Sequence, residues 1–284
     1  MAANIAVVTD SASYLPVDVR DRFGVRTVPM TVVMDDEPYQ EFVTLHTATF
    51  YERLAAGARV TTSQPPPKRL LEAYEQVAAD GASEILSIHI GSALSGTVNS
   101  ARIAALLSPV PVTVVDTGQA SFVEGLCVWE ACEVLAAGGS LSEAAEAALR
   151  AGQAAGNVFI VKGLGLLRRG GRFAGESVDD REEAAVPVLA LVDGAVRPVA
   201  TAATVDEAIE AMTEHIEAAV AAGAGRSFRV GVGDGAATPL AEALAQRVAR
   251  VPRVERVVRY DIGPAVGAHT GPGCTGLAFL GRPV

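Results

Sequence analysis

Cysteine, histidine and long apolar runs are all scarce in this chain of 284 residues. The three cysteines, Cys127, Cys132 and Cys274, show no C-x-x-C spacing, and the four histidines form no H-E-x-x-H pattern. The sequence therefore predicts neither a structural disulfide nor a metal site. No apolar run reaches the roughly 18–20 residues that a membrane helix needs, and the first residues lack the basic flank and apolar core of a signal peptide. We expect a cytoplasmic protein without stable membrane insertion.

Positive charge is limited as well, since 23 Lys and Arg stand against 33 Asp and Glu, for a net charge of −10. A protein that grips a phosphate backbone shows a basic face. Here the basic residues cluster only in a short segment at Arg168, Arg169 and Arg172. The charge balance thus argues against nucleic acid as a partner, while the 50% of apolar residues can build a substantial core.

Strand-like and helix-like segments alternate along the chain, which favours βαβ units and a mainly parallel sheet. We predict an α/β protein with two α/β domains, at residues 1–156 and 157–284. The sheet of the first domain should be mainly parallel and that of the second mixed.

Several local patterns give sharper expectations. Residues 27–34 are predicted as one strand, residues 47–56 and 205–222 as helices, and residues 256–279 as a final β-like segment. Asp193-Gly194 between two apolar runs is typical of a β-hairpin. The spaced glycines at 231, 233 and 235 predict a turn, and an acidic stretch occupies residues 176–183.

Hydroxyl-rich segments adjoin several predicted strands and helices: Thr9-Asp10-Ser11, Thr62-Ser63-Gln64-Pro65 and the loop at residues 91–97. In open α/β sheets ligands bind beyond the carboxyl ends of the strands, where helices begin, and free N–H groups there favour an anion. Ser and Thr are also the preferred helix N-caps, so each segment taken alone favours a structural role as a cap. The recurrence of such segments at one end of the predicted sheet favours a ligand site instead. The loop at 91–97 resembles a phosphate-binding P-loop, but Thr97 stands where that motif needs Lys, which argues against nucleotide hydrolysis.

Glycines flank His269 and also interrupt the arginine-rich segment at residues 167–172. His269 is predicted on a tight turn, from which its ring could donate a hydrogen bond to an anion. Arg172 ends the segment L-R-R-G-G-R, where glycines permit close backbone approach and the guanidinium offers a planar set of donors. A solvent-facing turn histidine and a solvated basic turn remain the alternatives.

Six short motifs, taken in order, resemble the DegV family of bacterial fatty-acid-binding proteins. They are V-T-D-S-A at 8–12, T-S-Q-P at 62–65, S-A-L-S-G-T-V-N-S-A at 92–101, V-V-D-T at 114–117, L-R-R-G-G-R at 167–172 and H-T-G-P-G at 269–273. The resemblance implies two α/β domains with a long-chain fatty acid buried between or near them, and no other cofactor. It also implies that Thr62 and Ser95 hold the carboxylate, with His269 beside them. The residues of second rank that it implies are Ser63, Gly96 and Arg172.

The resemblance further implies a partner, a fatty acid kinase that phosphorylates the presented carboxylate, so that this chain itself performs no chemistry. Ala203 stands where many members of the family carry an Arg that is thought to contact the kinase. The residues alone leave two alternatives. One is a serine-dependent esterase or thioesterase with Ser95 as nucleophile and His269 as base, and the other is a protein–protein adaptor whose ligand is only structural.

Overall fold

A computed structural model gives the fold and describes residues 4–174 and 185–283. The acidic stretch at residues 176–183 lies outside the described residues. The chain forms two compact units. The first contains the residues up to Leu45 and Val60–Gln153, and the second contains His46–Arg59 and the residues from Ala154 onward. The predicted division at residue 156 did not anticipate that residues 46–59 leave the first unit.

The described strands, in chain order, are β1 (Ile5–Asp10), β2 (Arg26–Val28), β3 (Thr31–Met34), β4 (Glu37–Gln40), β5 (Val60–Ser63), β6 (Glu84–His89), β7 (Val112–Asp116), β8 (Gly156–Ile160), β9 (Val186–Val192), β10 (Ala195–Ala202), β11 (Arg226–Gly235), β12 (Val254–Asp261) and β13 (Cys274–Pro283). The described helices are α1 (Val17–Phe23), α2 (Thr47–Ala55), α3 (Pro67–Ala79), α4 (Thr97–Ala105), α5 (Phe122–Ala136), α6 (Leu141–Ala154), α7 (Gly165–Arg169), α8 (Val205–Ala222), α9 (Thr238–Val248) and α10 (Pro264–Thr270).

The first unit is built on four parallel strands in the order β2-β1-β6-β7. Helix α3 packs on this sheet through Leu70, Tyr74 and Val77, whose spacing places them on one helical face. Strands β3, β4 and β5 form a separate antiparallel sheet. The prediction of a single strand at residues 27–34 is wrong, because the segment divides at Pro29 into β2 and β3, which join different sheets. Proline has no N–H for a strand ladder.

The second unit is built on a mixed six-stranded sheet in the order β10-β9-β8-β13-β11-β12. The predicted hairpin is confirmed as β9 and β10. Both of its turn residues have positive φ, 50° at Asp193 and 73° at Gly194, as a type I′ turn requires. The turn predicted at Gly231, Gly233 and Gly235 is wrong, because all three lie in β11 between two neighbouring strands.

Residues 46–59 join the second unit through aromatic packing of α2 on α10. Phe50 and Tyr51 are buried, and the Tyr51 hydroxyl donates a hydrogen bond to the carbonyl oxygen of Ile262 at 2.9 Å. A Cβ at Gly267 would lie 2.7 Å from the Tyr51 hydroxyl and 2.8 Å from the Phe50 ring, so this glycine allows the close approach.

The fold class is thus α/β, as predicted, with a parallel sheet in the first unit and a mixed sheet in the second. Across residues 4–174 and 185–283, no helix combines the length and apolarity needed to cross a membrane.

Candidate functional site

Three parallel strands of the first unit end in polar residues at the same edge of their sheet. They are β1 at Asp10, β6 at His89 and β7 at Asp116. Asp116 Oδ1 accepts hydrogen bonds from the backbone N–H groups of Ser92 at 3.0 Å and Gly118 at 3.1 Å. Burial alone would raise the pKa of Asp116, but the hydrogen bonds from Ser92 and Gly118 outweigh it and lower this pKa. The ionised carboxylate therefore anchors the loop that carries Ser95.

Ser95 lies half-buried directly before α4. Gly96 is the N-cap of that helix and has no side chain that could cap it. The Ser95 hydroxyl oxygen lies 2.8 Å from Thr97 Oγ1 and 3.3 Å from the Thr97 backbone nitrogen. A Cβ at Gly96 would lie 3.0 Å from the Gln64 side-chain carbonyl carbon. The structure thus brings the T-S-Q-P segment against the start of α4.

Thr62 and Ser63 are the last two residues of β5, and Gln64 and Pro65 follow before α3 begins at Pro67. They pair with Val32 and Thr31 of β3 in the antiparallel sheet. The run Val60-Thr61-Thr62 is β-branched, and this composition favours a strand. Thr62 is half-buried and Ser63 is exposed.

Below the loop lies a cluster of ionisable side chains that the sequence did not predict, and we call Asp10, Glu41, His89 and Glu124 the buried acidic cluster. All four are at most 1% exposed. Asp10 Oδ2 accepts hydrogen bonds from His89 Nδ1 and from the backbone N–H of Ile90, both at 3.1 Å. Within the described parts of the chain, no group of three His, Cys, Asp or Glu residues is arranged to hold a metal ion.

Glu124 is the member of the buried acidic cluster with the most perturbed ionisation. Thr9 Oγ1 donates to its Oε1 at 3.3 Å, and its Oε2 is buried without a hydrogen-bond donor among the described residues. Burial, and then the neighbouring charge of Asp10, raise the pKa of Glu124 well above its usual value. A proton on Glu124 would complete a hydrogen bond to the Asp10 carboxylate. The signal in the sequence was one charge inside the apolar run at the start of α5.

Two hydrogen-bond chains extend from this cluster through the first unit. The Tyr74 hydroxyl lies 2.8 Å from Ser87 Oγ, which lies 2.7 Å from His89 Nε2. Burial raises the pKa of Tyr74 to about 12 although the Ser87 bond opposes it. On the other side, Ser11 Oγ donates to Glu41 and accepts from the Met30 backbone N–H at 2.9 Å.

In the second unit, His269 and Arg172 lie together. His269 is in the last turn of α10 and not on the tight turn that the sequence predicted, because that turn follows at Gly271, where φ is 75°. A Cβ at Gly170 would lie 2.5 Å from His269 Nδ1, so the glycine backbone packs directly on the ring. Burial, and then the charge of Arg172, lower the pKa of His269 to about 4, which keeps the imidazole neutral near pH 7.

The predicted site residues therefore fall into two sets. The first unit holds Thr62, Ser63, Ser95 and Gly96, and the second unit holds Arg172 and His269. Each set joins motifs that are distant in the sequence, and their role as ligands stays a prediction.

Comparison with known proteins gives consistent matches along the chain. The model of the DegV family, described as "Uncharacterised protein, DegV family", matches residues 4–282. A DegV domain-containing protein of Streptomyces coelicolor is 38% identical over 284 residues, which cover 99% of this chain and 100% of the relative. A solved structure from Thermus thermophilus, described as fatty acid binding of a DegV family protein, has a TM-score of 0.90 at 34% identity and covers 98% of this chain and 100% of its own. The structure described as DegV, a fatty acid binding protein from Bacillus subtilis, has a TM-score of 0.87 at 26% identity and covers 99% and 100%.

Proposed function

We propose that this chain, which belongs to the DegV family, binds a long-chain fatty acid and acts as a carrier rather than as an enzyme. The observation that carries the proposal is the likeness to the Thermus thermophilus structure, whose description names fatty acid binding. The local chemistry of the first unit supports it, because hydroxyls and a helix start without a side-chain cap suit a carboxylate.

We assign the carboxylate first to Ser95 and Thr62. Ser95 precedes the first turn of α4, where the positive end of the helix dipole favours a negative charge. The Gln64 side chain against Gly96 links the end of β5, which carries Thr62 and Ser63, to that helix start. The proposal also includes Arg172, a permanent cation, and His269, which as a neutral imidazole can donate one hydrogen bond.

The alkyl tail would supply most of the affinity. Each buried methylene contributes about 0.8 kcal/mol, so a chain of sixteen or eighteen carbons outweighs the head group. Fixed polar groups at one end and apolar lining elsewhere are what such a ligand requires.

The environment of Ser95 in the first unit argues against a nucleophile. A catalytic serine needs a general base at hydrogen-bond distance, and the partner of Ser95 Oγ here is Thr97. The histidine of the described first unit, His89, is fully buried and bonded to Asp10 and Ser87. The esterase alternative predicts covalent labelling of Ser95 by a fluorophosphonate probe, whereas a carrier should not react.

Mass spectrometry of lipid extracted from the gently purified protein tests the proposal. We expect one or more long-chain fatty acids at close to one equivalent, and rebinding of a fatty acid after delipidation. A protein that retains none and rebinds none would overturn the proposal.

Substitutions locate the head group. Removing a hydrogen bond to a charged group costs about 1.5–3 kcal/mol, so Ser95→Ala and Thr62→Ala should each weaken binding about tenfold to a hundredfold. Thr61→Ala is the matched control, because Thr61 is exposed and neighbouring strand residues point to opposite faces. If the double variant Thr62→Ala/Ser95→Ala binds as tightly as the wild type, the head group lies elsewhere.

We further propose that the loaded chain presents its ligand to a fatty acid kinase in the cytoplasm. Ala203 is exposed at the end of β10, where its backbone N–H donates to Glu207 at 2.8 Å. This surface lacks the arginine that the family resemblance predicts there. A kinase assay with the loaded protein tests the handoff: acyl phosphate should form with the loaded protein and not with the delipidated one.

A further inference from the structure

We propose that Thr97 is a positioning residue that orients the Ser95 hydroxyl as a hydrogen-bond donor, so that the site selects a carboxylate over a neutral head group. The inference rests on the proposed function, because it takes Ser95 as a ligand of the carboxylate. In this proposal Thr97 does not itself touch the ligand, and it acts through Ser95 on the preference for a charged head group.

The lone pairs of Ser95 Oγ decide where its proton points. A serine hydroxyl has one proton to donate and two lone pairs that accept. The Thr97 backbone N–H can only donate, and its nitrogen lies 3.3 Å from Ser95 Oγ, so it occupies one lone pair. The Thr97 hydroxyl lies 2.8 Å from the same oxygen. If that hydroxyl also donates, both lone pairs are filled and the Ser95 proton must point to another acceptor.

The Thr97 hydroxyl can donate its proton either to Ser95 Oγ or to Met30 Sδ. Thr97 is fully buried, and its Oγ1 has one other partner among the described residues, Met30 Sδ at 3.7 Å. A thioether sulfur is a weak acceptor. Without ligand, Ser95 can donate to Thr97 while Thr97 donates to Met30. With a carboxylate present, Ser95 gains a charge-assisted hydrogen bond, and Thr97 gives up only the weak contact to sulfur in order to donate to Ser95.

The two hydroxyls therefore act as a pair that reverses its direction when an anion binds. In the reversed state the chain runs from Thr97 to Ser95 to the carboxylate, and each bond polarises the next. A fatty alcohol or amide forms a weaker hydrogen bond with the reversed pair, because its oxygen carries no full negative charge. In the reversed state, both lone pairs of the Ser95 hydroxyl are filled, so Ser95 cannot also accept the proton of an alcohol.

The test compares the affinity for a fatty acid with that for the fatty alcohol of the same chain length, measured by calorimetry on delipidated protein. We expect Thr97→Val to weaken binding of the acid about tenfold and to leave binding of the alcohol within twofold. Thr97→Ser, which keeps the hydroxyl, should restore the preference for the acid. Thr113→Val is the matched control, since Thr113 is half-buried in β7. A loss of the same size for both ligands in Thr97→Val would overturn the inference and show that Thr97 matters through packing.

Met30→Leu separates the hydrogen bond from the packing around it. Leucine fills a similar volume and removes the sulfur that competes for the Thr97 proton, so the variant should bind the acid at least as tightly as the wild type. Weaker acid binding with an unchanged acid-to-alcohol ratio in Met30→Leu would contradict the reversal. The proposed function fails separately, when the wild type binds neither ligand.

Discussion

Glu124 lies fully buried in α5 beside the Asp10 carboxylate, and we expect Glu124→Gln to stabilise the protein at neutral pH. The folded state keeps a proton on Glu124 that the unfolded chain releases near the usual pKa of 4.5. This costs about 1.4 kcal/mol of unfolding free energy for each pH unit through which only the folded state holds the proton. Glutamine does not titrate. Its carbonyl can still accept the Thr9 hydroxyl, and its N–H can donate to Asp10.

Urea denaturation at pH 5, 6, 7 and 8 measures this difference. Because a raised carboxyl pKa stabilises the fold below the ordinary pKa and loses that contribution as the pH rises, the gain from Glu124→Gln should be small at pH 5. The gain should grow as the pH rises towards 8, because each further pH unit at which only the folded Glu124 keeps its proton adds about 1.4 kcal/mol. Glu75→Gln, at an exposed site of α3, is the matched control and should show no such trend. An equal or lower stability of Glu124→Gln at every pH would refute the reasoning.

Three further predictions concern the second unit. Gly170→Ala should weaken fatty acid binding several-fold, because its Cβ would lie 2.5 Å from His269 Nδ1 and displace the ring. Gly163→Ala is the control and should not weaken binding, because a Cβ there would have no atom within 4 Å. Equal affinities of the two variants in calorimetry would contradict the prediction. Because the pKa of His269 is lowered to about 4, its imidazole should stay neutral, and fatty acid affinity should be constant between pH 6 and pH 8. If binding instead becomes tighter on acidification, and His269→Ala or His269→Gln abolishes that change, the imidazole is charged in the complex. Ala203→Arg should increase capture of a fatty acid kinase by the loaded protein in a pull-down, and no increase would separate this position from the kinase contact.

Local patterns predicted individual elements well because the signals themselves are local. The predicted helix at residues 205–222 matches α8, and Asp-Gly specified its hairpin through two backbone positions with positive φ. Proline at position 29 was also visible, and its missing N–H separates β2 from β3.

Neighbours in space were much harder to predict. Residues 47–56 were predicted as a helix, and α2 occupies Thr47–Ala55. Its periodicity cannot reveal that Phe50 and Tyr51 pack on Gly267, more than 200 positions away. The same limit applies to the buried acidic cluster, since Thr9 and Glu124 meet across 115 positions.

The local pattern indicated hydroxyl-rich segments, and the family resemblance selected Ser95 and Thr62 within them. Their role as ligands stays a prediction, and the hydrogen bonds around them could not be predicted. The orientation of the Ser95 hydroxyl depends on a buried threonine two residues later and on a methionine sulfur from another part of the chain. Such a contact becomes visible only when the fold brings Met30, the residue before β3, against the start of α4.

The first unit also keeps its proton-carrying side chains apart from its hydroxyl-bearing loop. Asp10, His89 and Glu124 are fully buried and bonded to one another or to the surrounding backbone. A general acid or base must reach the reacting atoms of its substrate, and groups committed to such bonds in the interior do not. The half-buried loop above them places the Ser95 hydroxyl 2.8 Å from Thr97 Oγ1 at the start of α4. Ser11 joins Glu41 to the backbone of Met30, and Met30 contacts Thr97, so these contacts connect the buried acidic cluster to the loop that carries Ser95. In the proposed carrier, the head group is therefore held on a loop that the buried interior of the first unit supports.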